Sequence, residues 1–270
     1  MNGDVTVIRD YWNLVSWLDG KLGAEGTAAG LLILGGAVLC ILLPYLIGSI
    51  NPAIILSKLV YHDDIRTHGS GNAGTTNMLR TYGKGAAVAT LLLDFSKAII
   101  ATLLGRLIFG ENGQALAGFF VGFGHMFPIY YRFRGGKGVA CFGMVALVIS
   151  PWAFLGILAT FVIVVIGTRY ISLASVMAAL MYPLFINAFA SDKAGAVAMG
   201  VGAAVMVIFM HRENLKRLWR NEESKLDFSK FKSKKKQATK DEKADFEVTN
   251  PPKSADPNEA SDESDETHND

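Results

Sequence analysis

Residues 66–80, R-T-H-G-S-G-N-A-G-T-T-N-M-L-R, form a polar stretch between two apolar segments that are each long enough to cross a bilayer. In this first polar loop, glycines alternate with small hydroxyl and amide side chains, so the backbone can turn tightly and direct N–H groups at a ligand. An arginine stands at each end, and guanidinium groups bind anionic oxygens in a fork. The pattern favours a phosphate site, although an ordinary turn-rich loop has the same composition.

The overall composition is that of a membrane protein. Hydrophobic residues make up 51% of the 270 residues, and the mean hydropathy is +0.31. Cys40 and Cys141 both lie in apolar runs, so we expect buried thiols and neither a disulfide framework nor a Cys-x-x-Cys metal pattern. We expect no metal, no other cofactor and no nucleic-acid partner.

Seven apolar stretches predict an all-α, polytopic membrane protein with about seven transmembrane helices. They cover residues 27–50, 85–109, 113–131, 139–150, 152–167, 171–190 and 194–210. The fourth and fifth are short and separated only by Ser150-Pro151, so a re-entrant pair, with five full crossings, is the alternative. We divide the chain into an N-terminal interfacial segment (1–28), a membrane-embedded domain (29–220) and a charged cytoplasmic tail expected to be disordered (221–270).

The distribution of Lys and Arg predicts the orientation. With seven crossings, twelve of these residues near the span ends lie on one side of the membrane and four on the other. The positive-inside rule therefore places the N-terminus outside and the C-terminus in the cytoplasm. The same count brings the polar loops after the first, third and seventh spans to one face, where they can build one site.

The second polar loop, residues 132–138, has the sequence R-F-R-G-G-K-G and opens the fourth span. Consecutive glycines before a helix leave N–H groups free at its positive end, and Lys137 adds a charge, so this loop suits an anion. It is not a Walker A loop, because Gly138 follows the lysine. A basic turn with glycines for tightness explains the same residues equally well.

The C-terminal motif, residues 211–214, is H-R-E-N. His211 and Asn214 share a helix face, and an imidazole at the water boundary suits a general base or a donor to phosphate. An interfacial anchor is the plainer interpretation. Within the spans, Asp94 and Lys97 are spaced for an ion pair, and His125 is either a packing residue or a ligand.

Four motifs in this order resemble those of one family. They are G-S-I-N-P at 48–52, D-I-R-T-H-G-S-G-N-A-G-T-T-N-M-L-R at 64–80, G-H-M-F-P with R-G-G-K-G-V-A at 124–140, and H-R-E-N-L-K-R-L at 211–218. Together they are similar to the bacterial acyl-phosphate:glycerol-3-phosphate acyltransferases, the PlsY family, over about residues 29–225. The chain departs from the expected pattern at Asn51, where we expect proline directly after G-S-I.

The resemblance implies transfer of a fatty acyl group from acyl phosphate to the 1-hydroxyl of glycerol 3-phosphate, giving lysophosphatidic acid and phosphate in phospholipid synthesis. It implies an enzyme in the bacterial cytoplasmic (inner) membrane, in contact with lipid, with its active site on the cytoplasmic face; partner enzymes of lipid synthesis are an open expectation. The implied catalytic residues are Ser70, Arg80, His211 and Asn214. The expected substrate-binding residues are Ser49, Asn72, Thr76, Asn77, Gly135, Gly136, Lys137 and Gly138, with Glu213 structural.

The residues themselves fit that chemistry. Both substrates carry a phosphate, and an acyl phosphate already has a good leaving group, so the protein has mainly to position the hydroxyl and neutralise charge. No Ser-His-Asp or Cys-His pairing is apparent, which favours direct attack, with His211 either orienting glycerol 3-phosphate or relaying its proton. No histidine begins an H-x-x-x-x-D motif, the signature of the other large acyltransferase class.

A transporter of phosphate or of an anionic metabolite is the alternative function. Seven spans with the intramembrane charges of Asp94 and Lys97 would suit one. A transporter predicts internal repeats and a binding site near the bilayer midplane, whereas the polar motifs here gather at one surface.

Overall fold

The computed structural model describes residues 13–23, 26–191 and 193–226, and these contain helices but no β-strand. The predictions for residues 1–12 and 227–270 lie outside the described residues. The α-helices in these ranges are α1 (Leu14–Leu22), α2 (Thr27–Ser49), α3 (Pro52–Val60), α4 (Thr75–Thr81), α5 (Lys84–Met126), α6 (Val139–Ile149), α7 (Pro151–Thr168), α8 (Ile171–Phe189), α9 (Ala194–Met210) and α10 (Arg212–Trp219). Single 3-10 turns cover Ile65–Thr67 and Ile129–Tyr131.

Helix α5 is two helices joined at a sharp break. Phe109 and Gly110 have non-helical backbone angles, and the φ of Gly110 is +60°. Lys97 Nζ lies 2.9 Å from His125 Nδ1 across 28 residues, which a straight helix would separate by about 42 Å. The first arm (residues 84–108) and the return arm (residues 111–126) are therefore antiparallel, as the separate apolar stretches 85–109 and 113–131 predict.

The helical segments suit a bilayer in length and in surface. Four are long and apolar enough to cross one, or five if the bent pair of α9 and α10 counts as a single span, and the longest contains both arms of α5. Large aliphatic side chains point outward: Leu34 of α2 is 60% exposed and Ile163 of α7 is 69% exposed. A continuous apolar exterior is stable against lipid rather than water, so the prediction of an all-helical, multi-pass membrane protein is confirmed.

Helix α6 explains why the stretch 139–150 is ambiguous in sequence. It has 11 residues and a length of about 16 Å, roughly half the hydrocarbon thickness of about 30 Å. More than half of its residues are buried among the other helices. A helix shielded from lipid in this way needs neither the length nor the outward apolar face that identifies a span.

The bundle has two distinct ends. At one end, Lys193 after α8 contacts the backbone carbonyl of Ile149 at 3.4 Å and the carboxylate of Glu111, beside the α5 break, at 3.5 Å. There Ser150, between α6 and α7, donates to the carbonyl of Phe189 at 3.4 Å. The first and second polar loops and the C-terminal motif gather at the opposite end.

Small residues and a buried charge bring α2 against both arms of α5 below that second end. A Cβ atom on Gly48 would lie 2.2 Å from the carbonyl oxygen of Val121, so only glycine permits this close approach. Lys97 donates to the carbonyls of Gly48 and Ile50 at 3.1 and 2.8 Å and pairs with Asp94 at 2.8 Å. The predicted Asp94–Lys97 ion pair is confirmed, and it fastens the end of α2. Both cysteines are buried and free, as expected.

Candidate active site

The first polar loop is held in shape by Asn77. This side chain is 1% exposed; its Oδ1 accepts from the N–H of Ser70 at 3.0 Å, and its Nδ2 donates to the carbonyls of Ile65 and His68 at 3.1 and 2.9 Å. A Cβ atom on Gly69, whose φ is +55°, would lie 2.3 Å from Asn77 Oδ1. Asn77, which we expect from sequence to bind substrate, is thus turned into its own loop in this structure.

Other polar side chains of this loop remain available. Within the described part of the chain, five of them make no hydrogen bond or ion pair: Ser70, Asn72, Thr75, Thr76 and Arg80. Arg80, on α4, is exposed. The loop therefore divides its polar groups between an internal scaffold and a free set of hydroxyl, amide and guanidinium groups.

Two neighbouring residues also have structural roles. Ser49 is buried; its hydroxyl donates to the carbonyl of Tyr45 at 2.8 Å and accepts from the N–H of Ile129 at 3.3 Å. Ser49, which we expect from sequence to bind substrate, thus joins α2 to the segment that follows the return arm. Asn51, the departure from the family pattern, caps α3 and donates through Nδ2 to the carbonyl of Ala73 at 3.3 Å.

The second polar loop uses its glycine N–H groups differently from the prediction. The N–H of Gly135 donates to the carbonyl of Met126 at 3.2 Å, and that of Gly136 donates to the carbonyl of His125 at 3.1 Å. These two are therefore unavailable to an anion. Their successors, the N–H groups of residues 137–139 at the start of α6, have no partner among the described residues. The free donors lie one step further along the loop than expected.

The first and second polar loops touch each other through backbone atoms. A Cβ atom on Gly136 would lie 2.0 Å from His125 Nε2 and 2.8 Å from the carbonyl oxygen of Ala73 in the first loop. Arg66 donates to the carbonyl of Tyr131 at 3.1 Å while its guanidinium binds the Asp64 carboxylate with a shortest distance of 2.7 Å. Arg66 is therefore a brace between the loops rather than a free cation.

The C-terminal motif joins the second polar loop through Lys137. The ammonium of Lys137 donates to Asn214 Oδ1. The amide Nδ2 of Asn214 donates to Glu223 Oε1 at 2.7 Å, and Arg217 Nε donates to Glu223 Oε2 at 2.8 Å. Glu213 instead lies at the surface, 3.1 Å from Lys216. The structure thus brings all three polar motifs together at one end of the bundle.

His211 has one nitrogen committed and one available. The side chain is 3% exposed, and Nδ1 lies 2.8 Å from the carbonyl oxygen of Val207. A carbonyl only accepts, so Nδ1 carries the proton and Nε2 of the neutral ring presents a lone pair. Burial, followed by repulsion from Lys137, lowers the pKa of His211 to about 4. The neutral ring at pH 7 can accept a hydrogen bond from a hydroxyl.

Positive charge concentrates around Lys137. Burial is the largest cause that lowers the pKa of Lys137, to about 8; Glu223 opposes it, and the charges of Arg217 and Arg80 lower it further. Arg80 is therefore near enough for its charge to act on Lys137. Two cations whose charges repel, beside unpaired N–H donors, form a site that an anion would stabilise.

A second polar cluster lies deeper, below the loops. The ligand atoms of Asp94, His125 and Cys141 lie within 4.8 Å of one another, a spacing that a metal ion could use. Lys97 places an ammonium 2.8 Å from the same Asp94 carboxylate, so the cluster already has a cation. Its contacts fasten α2 and both arms of α5 below Gly136.

A narrow apolar cleft leads away from the polar site between α6, α7, α8 and α9. It encloses about 30 Å³. At the polar end it begins beside Val139, next to Gly138, and Val207, whose carbonyl binds His211. Further along, its walls are mostly small or apolar, including Ala178, Tyr182, Ala203 and Ile157. Small side chains on facing helices therefore line the cleft.

Comparison with known proteins identifies the family. The sequence pattern of the family Glycerol-3-phosphate acyltransferase matches residues 38–221. The chain belongs to the glycerol-3-phosphate acyltransferase family. It is 42% identical over 190 residues to the glycerol-3-phosphate acyltransferase of Thermoanaerobacter pseudethanolicus, covering 70% of this chain and 96% of the relative. It is also 42% identical over 194 residues to that of Bordetella pertussis, covering 69% and 90%.

Solved structures agree with this family membership. The acyltransferase matches the crystal structure of PlsY, an integral membrane glycerol 3-phosphate acyltransferase, in its glycerol 3-phosphate form, with a TM-score of 0.68 and 32% identity over 72% of this chain and 98% of that one. The lysophosphatidic acid form gives a TM-score of 0.65 and 32% identity, covering 71% and 95%. Between the two functions weighed from sequence, membership supports the enzyme rather than the transporter.

The sequence analysis did not place Glu223 at the site. Glu223 lies in the stretch that we assigned to the charged tail, and two residues beyond the matched family region. In the structure of the acyltransferase its side chain is 6% exposed and binds both Asn214 and Arg217. A single acid among many charges has no distinguishing pattern, so only the chain reversal after α10 reveals it.

Proposed function

We propose that this acyltransferase moves a fatty acyl group from an acyl phosphate to the 1-hydroxyl of glycerol 3-phosphate at the site formed by the first polar loop, the second polar loop and the C-terminal motif. The observation that carries the proposal is the Lys137–Asn214 contact, which joins the last two motifs, with Arg80 of the first close enough to act on Lys137. Two anionic substrates need cations from more than one loop, and this arrangement supplies them.

Glycerol 3-phosphate binds at the second polar loop in this proposal. Lys137 contacts the phosphate, and the unpaired N–H groups of residues 137–139 at the start of α6 add directional donors. Gly135 and Gly136 set the loop backbone rather than touch the anion. The glycerol 3-phosphate form of the similar PlsY structure supports a dedicated site for this substrate.

The acyl phosphate binds against the first polar loop. Arg80 holds its phosphate and stabilises the charge that develops as this group leaves, and the free side chains of Ser70, Asn72 and Thr76 donate or accept hydrogen bonds around it. Asn77 and Ser49 position this surface without touching substrate.

The reaction is a direct displacement. The 1-hydroxyl oxygen of glycerol 3-phosphate forms a bond to the carbonyl carbon, the bond between that carbon and the phosphate oxygen breaks, and inorganic phosphate departs with the bonding electrons. His211 Nε2 accepts the hydrogen bond of the attacking hydroxyl and passes its proton to the leaving phosphate. Asn214 fixes the Lys137 ammonium beside this reaction centre.

The acyl chain lies along the apolar cleft, whose helices must move apart to admit it, because the cleft now encloses only about 30 Å³. The cleft begins beside Val139 and Val207, so a carbonyl held near His211 has its hydrocarbon tail directed between α6, α8 and α9. Burying each methylene there contributes about 0.8 kcal/mol. This gives the enzyme binding energy remote from the reacting atoms.

The proposed topology has seven membrane segments: α2, the two arms of α5, and α6, α7, α8 and α9. Lys193, Ile149 and Glu111 meet at one end of the bundle and the polar motifs at the other, which is the alternation that seven crossings require. The twelve-to-four distribution of Lys and Arg supports a cytoplasmic active site in the bacterial inner membrane, with the N-terminus outside.

Arg80 offers the sharpest test of the proposed site. Purified protein is incubated with glycerol 3-phosphate and palmitoyl phosphate, and released phosphate and lysophosphatidic acid are measured. We expect Arg80→Ala to lower kcat/KM by about 100-fold or more, the order lost with one charge-stabilising donor. Arg169→Ala removes an exposed cation from the α7–α8 turn and serves as the matched control. Full activity in Arg80→Ala would remove this residue from the site.

A further inference from the structure

The chain reverses direction directly after α10. Asn221 has a left-handed φ of +58° and donates to the carbonyl of Leu218 at 3.1 Å, and the N–H of Glu222 donates to the carbonyl of Arg217 at 2.8 Å. This turn brings the next side chain, Glu223, back against α10. Its carboxylate is 6% exposed, which is unusual for an acid outside a core unless both oxygens are satisfied.

Each carboxylate oxygen of Glu223 has its own donor. Asn214 Nδ2 donates to Oε1 at 2.7 Å and Arg217 Nε donates to Oε2 at 2.8 Å. A carboxylate only accepts and an ammonium only donates, so with Glu223 on one side and Lys137 on the other, the Asn214 amide has a single favourable orientation. Turned over, it would direct its NH₂ group at the Lys137 ammonium.

We propose that Glu223 is a positioning residue of this acyltransferase: by fixing the Asn214 amide, it aligns the Lys137 ammonium for the phosphate of glycerol 3-phosphate. This inference rests on the proposed assignment of Lys137 to that phosphate. Glu223 acts through Asn214 and touches no substrate. The first part of its role is geometric: by accepting from Nδ2 of Asn214, Glu223 leaves the amide oxygen directed at the Lys137 ammonium.

The second part of its role is electrostatic. The charged groups that act on Lys137 are Glu223, Arg217 and Arg80, and Lys137 in turn acts on His211. Among those that act on Lys137, only Glu223 raises its pKa. Burial raises the pKa of Glu223, but hydrogen bonds from Asn214 and Arg217 act against it and the net pKa is lowered, so Glu223 is ionised at neutral pH. Removing the carboxylate therefore leaves Lys137 a smaller charged fraction at neutral pH.

The test compares Glu223→Gln, Glu223→Asp and a neighbouring control in the full chain, with KM measured separately for each substrate across pH. We expect Glu223→Gln to raise KM for glycerol 3-phosphate about tenfold, the order expected for losing a hydrogen bond to a charged group. The alkaline limb of kcat/KM moves to lower pH, while KM for the acyl phosphate stays near wild type. Glu223→Asp keeps the charge, so its alkaline limb stays near wild type and its KM is intermediate.

Glu222→Gln is the matched control, because it removes the same charge from an exposed neighbouring side chain. It should leave both KM values and the pH profile unchanged. The inference is overturned if Glu223→Gln behaves like this control. It is also overturned if Glu223→Gln raises KM for both substrates and lowers the thermal unfolding midpoint, because that result indicates a purely structural contact. Lys137→Ala tests separately whether Lys137 binds the phosphate. If KM for glycerol 3-phosphate is unchanged in Lys137→Ala, the assignment of Lys137 to the phosphate is wrong. If KM is raised in Lys137→Ala but not in Glu223→Gln, only the positioning role of Glu223 is wrong.

Discussion

Replacing Gly136 with alanine tests how the two polar loops are joined. An alanine Cβ would lie 2.0 Å from His125 Nε2 and 2.8 Å from the carbonyl oxygen of Ala73. Ordinary carbon contacts with these atoms need about 3.4 Å or more, so the second polar loop must move by more than 1 Å. His125 cannot move aside easily, because its Nδ1 is 3.2 Å from Asp94 and 2.9 Å from Lys97.

The size of the effect follows from what lies next in the chain. Lys137 is the neighbouring residue, and its ammonium must still reach Asn214 and the phosphate. A displacement of about 1 Å in a catalytic group costs about 100-fold in rate, equivalent to about 2.7 kcal/mol. We therefore expect Gly136→Ala to lower kcat/KM for glycerol 3-phosphate about 100-fold, mainly through KM. KM for the acyl phosphate should change much less, since the first polar loop has its own scaffold in Asn77.

The assay measures phosphate release while one substrate is varied at saturating concentration of the other. Gly85→Ala is the matched control: it is also near this end of the bundle, and a Cβ atom there has no other atom within 4 Å. A thermal unfolding scan in detergent checks that both variants are folded. If Gly136→Ala retains wild-type KM for glycerol 3-phosphate, or if Gly85→Ala loses as much, then close contact at Gly136 does not position the loop.

Two further predictions concern charge and chain length. The pKa of Lys137 is about 8, below its ordinary value, so its charge is lost as pH rises through 8. We therefore expect kcat/KM for glycerol 3-phosphate to fall by up to tenfold per pH unit above pH 8. In Lys137→Arg this fall should be smaller, because arginine keeps its charge. Ala178→Leu narrows the apolar cleft on α8, so activity with a 16-carbon acyl phosphate should fall more than activity with a 12-carbon one. The outward-facing control Leu180→Phe should leave the ratio of the two activities unchanged. An unchanged ratio in Ala178→Leu would show that the acyl chain does not lie in the cleft.

The features that the sequence predicted are those with a repeating or composite pattern. Apolar runs of span length, the break near residues 109–113 and the clustering of three polar motifs at one end are all present in the structure. Each rests on many residues, so single exceptions do not disturb it. The short helix α6 is an exception. Because it is buried inside the bundle, it needs neither the length nor the outward apolar face by which membrane spans are recognised in a sequence.

The features that the sequence did not predict depend on which hydrogen-bond donor pairs with which acceptor in the folded chain. The sequence motifs led us to expect Ser49, Asn77 and the N–H groups of Gly135 and Gly136 to bind substrate, whereas in the structure these donors bond to backbone carbonyls. Residue type says that a group can donate a hydrogen bond, while only the folded chain says where that bond goes. Glu223 shows the converse, because its role comes from a turn rather than from a motif.

Some polar groups of the site hydrogen-bond within the loops, and others have no partner in the protein. This division explains how the site can keep groups available for two anions before either anion binds. Asn77 and Asn51 hold the first polar loop through buried hydrogen bonds, and Arg66 ties it to Tyr131 through a partly buried one, so these contacts shape the loop with no anion present. Burial lowers the pKa of Lys137 most, and the charges of Arg217 and Arg80 lower it further. An arriving phosphate relieves that repulsion and favours the charged ammonium, so binding above pH 8 must take up a proton. Charge that is fixed before the reaction needs no reorganisation during it, which is the arrangement that best stabilises a departing phosphate.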